Sequence, residues 1–376
     1  MRQTFDVPAT RTACTALPTQ PPPASVTEAL YRVSGRLSLP SGLLAQALED
    51  LTHITDSGER GAHLAALMTG LMARGPVRDD VVEILQAALA LDDTRDPFST
   101  PPRSNPLIVM AGSGKKGLKT FNISTPSAIV AAAAGASIVK IGSRATSSAM
   151  GSRDLVGHLG LRESRTSDEA LAEVGRSGFA FIPIEEVIPA VDELYGGRFH
   201  TINPFSFGLT ALAAPLRGDV LVYGLAHPDV ELAGRVLRDL GIDESVIVAS
   251  GDSRGYYADE LGVGSRTLTC RVQESQVGSV VEQDIRTLPG YNAAHYRAPT
   301  PPASRAEAAA WALDAISGGG PSTHSWLIAV NAALLLHCAR IAPDLDEAYE
   351  MAQSLIASGV ALAKLHELQE EASCQP

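Results

Sequence analysis

The segment LIVMAGSGKKGLKTFNISTPSAIVAAAAGASIVKIGSRATSSAMGS, residues 107–152, contains two short apolar runs, a glycine-rich loop and an alanine-rich run. The runs LIVMA and ASIVK are typical of buried strands, and the alanine-rich run between them suits a helix. Thr125 is placed to cap that helix, Pro126 suits its first position, and Gly135 suits the left-handed residue that ends it. The segment predicts a strand-helix-strand unit whose helix begins after a polar loop.

The start of this helix carries many groups that bind phosphate. A helix N-terminus presents unpaired N–H groups and about half a positive charge, so it holds an anion without help from a cationic side chain. Asn122 and Ser124 lie next to it, and the loop GSGKKG allows backbone to approach phosphate oxygens. Lys140 and Arg144 add positive charge after the second run. The segment therefore predicts a phosphate site.

Two familiar phosphate motifs fit this loop poorly. The P-loop pattern fails because Leu and Lys follow the last glycine, where Lys and Ser or Thr are needed. The dinucleotide pattern GxGxxG matches at Gly112, Gly114 and Gly117, but the helix does not open at the third glycine. The second strand also ends at Lys140 instead of an acidic residue. A glycine-rich turn that binds nothing is the structural alternative.

Composition excludes several classes of protein. The chain has 376 residues, 45% of them apolar, which is enough for a large core and usually two subdomains. A net charge of −12 argues against a nucleic-acid surface. No apolar run approaches the roughly 18 residues of a membrane span, and the N-terminus lacks a signal core, so we expect no membrane partner and a cytoplasmic location. Neither disulfides nor a zinc site is indicated by the widely spaced cysteines Cys14, Cys270, Cys338 and Cys374.

The pattern along the chain predicts a tail, a helical unit and an α/β body. Residues 1–25 are rich in Thr and Pro and are expected to be disordered. Residues 26–97 show helical spacing of apolar residues, and residues 98–106 form a proline-containing linker. In residues 107–376 strands alternate with helices, which predicts a mostly parallel central sheet flanked by helices.

The motifs of this chain resemble those of the anthranilate phosphoribosyltransferase family. That family has GTGGDG, TFNIST, an alanine-rich helix, KHGNR and an SSKSGS-like stretch; here GSGKKG, TFNIST, KIGSR and SSAMGS stand in the same order. Asp259 and Glu260 resemble its DE motif, and residues 178–201 resemble the segment that leads into its RTIFN motif. The resemblance covers residues 26–370, and TFNIST is its most specific part. Pyrimidine nucleoside phosphorylases, which share the fold, are similar more distantly.

The resemblance implies transfer of 5-phosphoribosyl from phosphoribosyl pyrophosphate to a small-molecule acceptor, with inversion at the anomeric carbon. It implies Mg²⁺, two ions, with ligands Ser124, Asp259 and Glu260, and a homodimer formed through the N-terminal helices. Contacts to the donor are implied for Gly112, Ser113, Gly114, Lys116, Asn122, Ser124, Thr125, Lys140, Ser143, Arg144, Ser148 and Ser152. Adjacent acids such as Asp259 and Glu260 also occur in solvated loops, which is the alternative interpretation.

This chain departs from the family pattern at several motif positions. Lys116 replaces the Asp of GTGGDG, Ile141 and Ser143 replace the His and Asn of KHGNR, and Ala149 replaces the Lys of SSKSGS. His200 stands where the family has the Arg of RTIFN, which approaches the anthranilate carboxylate. An imidazole is a poor substitute for a bidentate guanidinium, so we expect an acceptor other than anthranilate.

We expect this acceptor to belong to specialised metabolism. Enzymes similar to this family place phosphoribosyl on an aminocyclitol hydroxyl in aminoglycoside antibiotic biosynthesis. A cationic acceptor would suit an acidic pocket edge supplied by Glu185, Glu186 or Asp192, although these acids also fit an exposed helix start. A hydroxyl nucleophile benefits from a base, and His200 has a suitable unperturbed pKa of about 6.5.

Three alternatives remain open at this point. Arg198 lies two residues before His200, and a small shift of register lets it replace the lost arginine, which would leave an anthranilate phosphoribosyltransferase of tryptophan biosynthesis. Some similar proteins have lost activity and bind nucleic acid, which the net charge argues against. A nucleoside phosphorylase would cleave a glycosidic bond with phosphate instead of forming one.

Overall fold

The computed structural model describes residues 21–92, 105–146, 148–196 and 199–373. In these residues a nine-stranded sheet is covered by helices on both faces, so the predicted fold class is confirmed. The predicted tail lies largely outside the described residues, and the first described helix begins at Ala24, inside its predicted end. Most of the predicted linker lies outside them as well.

The sheet has a parallel part and an antiparallel part. The parallel part has the order β3-β2-β1-β4-β5 and consists of β1 (Leu107–Gly112), β2 (Ser137–Gly142), β3 (Phe179–Pro183), β4 (Val220–Gly224) and β5 (Ser245–Gly251). The antiparallel part extends the β5 side and consists of β6 (Tyr257–Ala258), β7 (Arg266–Gln273), β8 (Gln276–Val277) and β9 (Val281–Asp284). β1 is central, because Val109 pairs with Val139 of β2 on one side and with Leu221 of β4 on the other.

Helices cover both faces of the sheet. They are α1 (Ala24–Ser34), α2 (Leu43–Thr52), α3 (Ser57–Ala73), α4 (Arg78–Ala90), α5 (Ser124–Ala133), α6 (Ser152–His158), α7 (Ser167–Ser177), α8 (Ile184–Val187), α9 (Pro189–Tyr195), α10 (Leu209–Leu212), α11 (Val230–Asp239), α12 (Arg305–Ile316), α13 (Ser322–Cys338), α14 (Leu345–Ala357) and α15 (Val360–Ser373). Short 3₁₀ turns lie at Pro204–Phe207 and Ile285–Thr287. No helix in the described part of the chain is long and apolar enough to cross a membrane.

Alternate residues of each strand supply two separate cores. Ile108 and Met110 point into a core that also contains α5 and α12 to α15. Val109 and Ala111 point into a second core, which continues into α1 to α4. The N-terminal helices therefore pack against the same apolar layer as one face of the sheet, as the two-residue period of a strand requires.

Asn331 connects the apolar helix α13 to the chain segment that follows β6. Its Oδ1 accepts a hydrogen bond from the Leu261 N–H at 2.9 Å, and its Nδ2 donates to the Leu261 carbonyl at 3.1 Å. Asn331 is buried, so both backbone groups of Leu261 depend on this side chain and not on water. The amide therefore fixes the position of the segment that contains Asp259 and Glu260.

Asn331→Leu should lower the free energy of unfolding by about 2–4 kcal/mol, because two buried backbone groups lose their partners. Urea denaturation followed by circular dichroism measures this change. Ser325→Ala, six residues earlier on the same helix and half-buried, is the matched control and should cost less than about 1 kcal/mol. Equal losses in both variants would contradict the role assigned to Asn331.

Candidate active site

A cavity of about 390 Å³ lies at the carboxyl edge of the parallel strands. The loops after β1, β2 and β3 line it, together with the residues after β6. In parallel sheets ligands bind at this edge, where the loops after neighbouring strands separate. The predicted site residues that line the cavity are Gly112, Ser113, Gly114, Lys116, Asn122, Ser124, Lys140, Ser143, Arg144, Ser148, Ser152, Asp259 and Glu260. Thr125 and His200 do not line it.

A buried cluster of one cation and two acids forms part of the cavity wall. Lys116 Nζ lies 3.2 Å from Asp259 Oδ1, contacts Glu260 Oε1, and is 3.5 Å from Thr120 Oγ1. The side chains of Asp259 and Glu260 are only 7% and 3% exposed. The Gly114 N–H donates a hydrogen bond of 3.1 Å to Asp259 Oδ2. The lysine that distinguishes this chain from the family pattern is thus paired with the DE motif.

Backbone contacts bring the glycine loop and the acidic pair together. The N–H groups of Gly117 and Leu118 donate to the Tyr257 carbonyl at 2.8 and 3.0 Å. A Cβ at Gly224 would lie 2.1 Å from the Asp259 carbonyl oxygen, so only glycine permits this approach. The relative position of Lys116 and the acids is therefore set by main chain on both sides.

The charges in this cluster are strongly coupled. Burial lowers the pKa of Lys116, but the carboxylates of Asp259 and Glu260 outweigh it, and the net shift is upward. Burial raises the pKa of Asp259, but the Lys116 charge and the hydrogen bonds from Glu260, the Gly114 N–H and Lys116 together outweigh it and hold that pKa below its usual value. At Glu260 burial is the largest effect and raises the pKa to about 8. The cluster therefore contains a charged lysine, a charged aspartate and a glutamate that takes up a proton most readily.

Two other lysines line the cavity without an ion pair in the described residues. Burial lowers the pKa of Lys140 to about 8, and its Nζ donates to the Ile141 carbonyl at 3.1 Å. Burial also lowers the pKa of Lys115 to about 8. Lys115 Nζ donates to the Phe199 carbonyl at 2.6 Å and lies 5.3 Å from the centre of the Tyr195 ring. Both ammonium groups are largely charged at neutral pH and are available to a bound anion.

The loop after β2 presents several hydroxyl groups to the cavity. A Cβ at Gly142 would lie 1.9 Å from Ser152 Oγ, so glycine lets Ser152 approach the end of the strand. Ser143 Oγ donates to the Arg144 carbonyl at 3.1 Å, and Ser148 Oγ lies on the same wall. The predicted donor contacts in this loop therefore face the same space as the glycine loop.

The structure corrects the predicted start of α5. The helix begins at Ser124, and Asn122 Oδ1 accepts the Thr125 N–H at 3.2 Å, so Asn122 and not Thr125 supplies the capping side chain. Thr125 is fully buried inside the first turn, which explains why it does not line the cavity. The predicted end is confirmed, because Gly135 has a left-handed φ of +90°.

His200 is not one of the residues that line the cavity, but it contacts Thr146, which is. It is exposed, and its Nδ1 is 2.5 Å from the Thr146 carbonyl oxygen. Because a carbonyl only accepts, Nδ1 carries the proton and Nε2 is the basic nitrogen. A catalytic role for His200 stays a prediction. Arg198 lies outside the described residues.

Acidic side chains of α8 and α9 also line the cavity. Glu185 lines it but is engaged, since its carboxylate accepts the Arg144 N–H at 2.6 Å and pairs with Arg153 at 3.4 Å. Glu186 pairs with Arg153 at 2.8 Å and does not line the cavity. Asp192 lines the cavity, makes no ion pair with described residues, and has its pKa raised by burial. Asp192 is therefore the carboxylate of α8 and α9 that lines the cavity without an ion pair in the described residues.

Sequence reasoning missed Asn331 and Tyr195, which also line the cavity. The signal for Asn331 was visible as a single amide in the otherwise apolar run IAVNAALLL, where a polar side chain needs a specific partner. Tyr195 carries no such signal, because an aromatic residue at the end of a short helix is usually part of the core.

Comparisons with known proteins agree with this geometry. The model of the glycosyl transferase family, a/b domain, matches residues 104–362. The anthranilate phosphoribosyltransferase of Stenotrophomonas maltophilia is 31% identical over 81% of this chain and 85% of its own length. That of Polynucleobacter asymbioticus is 32% identical over 86% of this chain and 92% of its own length.

A solved structure shows the same fold. The Saccharomyces cerevisiae anthranilate phosphoribosyltransferase in complex with PRPP and Mg aligns with a TM-score of 0.70 and 20% identity, covering 94% of this chain and 99% of that one. Motif order, cavity and relatives agree, and the chain belongs to the anthranilate phosphoribosyltransferase family within the glycosyl transferase family that carries this a/b domain.

Proposed function

We propose that this protein is a phosphoribosyltransferase that uses phosphoribosyl pyrophosphate as its donor. The observation that supports this most directly is that the glycine loop, the start of α5, the loop after β2 and the DE pair line one cavity. Full-length relatives that are anthranilate phosphoribosyltransferases support the same reaction class. The homodimer and the cytoplasmic location expected from the sequence stay predictions.

The cavity supplies what a diphosphate donor requires. Backbone N–H groups of the glycine loop and the N-terminus of α5 provide aligned donors for phosphate oxygens. Lys140 and Arg144 provide positive charge, and Ser143, Ser148 and Ser152 provide hydroxyls. Because these groups are preorganised around a partly buried space, they stabilise negative charge more effectively than water would.

Only part of the magnesium site implied by the resemblance fits a magnesium ion. Ser124 lines the cavity and offers a hydroxyl oxygen, whereas the carboxylates of Asp259 and Glu260 are already paired with Lys116. Mg²⁺ prefers such hard oxygen ligands and keeps several waters. When bound there, the ion would neutralise charge that builds up on the pyrophosphate. The second ion implied by the resemblance would need the acidic pair, where Lys116 already supplies a positive charge.

The reaction needs few groups beyond these. The bond between the anomeric carbon and the pyrophosphate oxygen breaks with its electron pair on pyrophosphate, and the acceptor attacks that carbon from the opposite face. The attacking N–H or O–H then loses its proton to a base. His200 Nε2 is the base predicted from the sequence, and a change in the 199–201 segment would be needed to bring it to the cavity.

Anthranilate is the acceptor we propose first. The curated relatives with 31–32% identity are anthranilate phosphoribosyltransferases, so the comparisons favour this alternative over the non-anthranilate acceptor expected from the sequence. Lys115 and Arg144 line the cavity and could each meet an anthranilate carboxylate in place of the family arginine.

An aminocyclitol hydroxyl is the second candidate acceptor. The specific observation in its favour is Asp192, a half-buried carboxylate that lines the cavity without an ion-pair partner in the described residues. A cationic amino group would offset the cost of burying that charge, whereas an anthranilate carboxylate would be repelled by it. His200 at the position of the family arginine points the same way.

A pyrophosphate-release assay with phosphoribosyl pyrophosphate, Mg²⁺ and separate acceptors tests the proposal. We expect release that requires both Mg²⁺ and an acceptor, with anthranilate active. Release with an aminocyclitol such as neamine and not with anthranilate would select the second candidate. If neither these acceptors nor a panel of aromatic acids gives release, while phosphate cleaves a nucleoside, the protein is a phosphorylase instead.

Asp192→Asn separates the two acceptors. For a cationic acceptor we expect KM to rise about ten-fold, because one charge-assisted contact is lost, with KM for the donor unchanged. For anthranilate, KM should stay the same or fall. Steady-state kinetics measures both constants. Glu193→Gln, an adjacent acid whose side chain is 77% exposed, is the matched control and should change neither.

Donor affinity should weaken as the pH rises through about 8. The pKa of Lys140 is lowered to about 8 by burial, so its ammonium is charged below that pH and loses its charge above it. Between pH 7 and pH 9 we expect Kd for the donor to increase several-fold, measured by calorimetry without acceptor. Lys140→Met should bind more weakly and show a smaller increase.

Lys115→Met is the control for this pH effect, because the pKa of Lys115 is also lowered to about 8 by burial. If Lys140 carries the effect, Lys115→Met keeps the pH dependence of the wild-type protein. The assignment fails if Lys115→Met and not Lys140→Met removes it.

A further inference from the structure

The acidic pair of the cavity already has a cation. Three oxygens surround Lys116 Nζ: it contacts Glu260 Oε1 and lies 3.2 Å from Asp259 Oδ1 and 3.5 Å from Thr120 Oγ1. An ammonium group has three N–H donors and no acceptor, so three surrounding oxygens match its capacity. Each N–H donor of the Lys116 ammonium therefore has an oxygen within reach, as a bound cation would have its ligands.

The position of this ammonium is built into the fold. The loop that carries Lys116 is bonded to β6 through the N–H groups of Gly117 and Leu118, and to Asp259 through the Gly114 N–H. Asp259 and Glu260 directly follow β6. Lys116 and the two acids therefore lie on segments that backbone hydrogen bonds join. These bonds fix the position of Lys116 relative to the acids, which would not be the case on a free surface loop.

Burial strengthens the effect of the Lys116 charge on any second cation that approaches Asp259 and Glu260. The side chains of Lys116, Asp259 and Glu260 are 16%, 7% and 3% exposed, so water screens their charges weakly. Two adjacent buried carboxylates without a cation would be costly, and they would attract a divalent ion. With the ammonium among them, a divalent ion entering the same position meets a fixed positive charge a few ångströms away.

We propose that the Lys116 ammonium is a resident cation of the Asp259–Glu260 pair and replaces a divalent metal ion at this position. This inference rests on the proposed function in one respect, which is that Asp259 and Glu260 belong to the site that binds phosphoribosyl pyrophosphate. It implies that the protein uses one divalent ion fewer than the two expected from the resemblance. The remaining ion would be held by Ser124 and by oxygens of the donor, and the ammonium would face the pyrophosphate as a permanent positive charge.

Binding of Mn²⁺ to the substrate-free protein tests this directly. Free Mn²⁺ is measured by electron paramagnetic resonance during titration of the wild type, Asp259→Asn, Lys116→Met and the double variant Lys116→Met with Asp259→Asn. We expect the wild type and Asp259→Asn to bind alike. Lys116→Met should gain a site at least about ten-fold tighter, and the double variant should lose it.

Lys119→Met is the matched control. Lys119 lies in the same loop and its removal deletes the same charge, but in the described residues it makes no ion pair with Asp259 or Glu260. It should bind Mn²⁺ as the wild type does. A tight site in Lys119→Met as strong as in Lys116→Met would mean that general charge, not occupancy, controls metal binding, and would overturn the proposal.

Two further results would also overturn it. One is a tight Mn²⁺ site in the wild type that Asp259→Asn abolishes, because the acidic pair would then hold metal with Lys116 present. The other is Lys116→Met that folds and binds no tighter than the wild type. If Lys116→Met does not fold, the comparison of wild type with Asp259→Asn decides alone. No substrate is present, so the result is independent of whether the protein transfers phosphoribosyl groups.

Discussion

The parallel pairing of β1 with β2 and β4 is the constraint on which the rest of the molecule depends. β1 lies between β2 and β4 in the sheet. The chain passes from β1 to β2 on one side of β1, whereas β4 and β5 lie on the other side, so the loops that follow these strands separate at the carboxyl edge of the sheet. The cavity occupies that separation. The short antiparallel strand β6 pairs with the end of β5, and the acidic pair that directly follows β6 lines the same cavity.

The parts of this fold that could be predicted from the sequence are those that depend on neighbouring residues in the chain. The run LIVMA, the alanine-rich helix and the left-handed Gly135 predict the unit from β1 to β2 because period, composition and turn residue agree. The antiparallel strands were missed, since short half-exposed runs such as Arg266–Gln273 resemble loops until β5 pairs with them.

Side-chain partners across the chain were harder to predict than the cavity itself. Motif order placed Lys116 and Asp259 in one site, but their ion pair depends on hydrogen bonds of Gly117 to β6, which no local pattern shows. Thr125 failed as the cap for a local reason, because the helix starts two residues earlier than predicted, at Ser124, and Asn122 accepts the Thr125 N–H. His200 lies on a segment without helix or strand, and the sequence of such a segment does not predict which way its side chains point.

The charged side chains differ between two parts of the cavity lining. On the donor side, Lys116 neutralises one of two buried acids, while Lys140 keeps a pKa near 8 and so a charge that an anion can stabilise. Near α8 and α9, Arg153 pairs with Glu185 and Glu186, whereas Asp192 lines the cavity without an ion pair in the described residues. This chain thus places a cation beside two buried acids in one part of the cavity lining, and Asp192, without an ion pair in the described residues, in another part. Lys116 lies in the loop after β1 and Asp192 on α9, so only the carboxyl edge of the sheet brings them to one cavity.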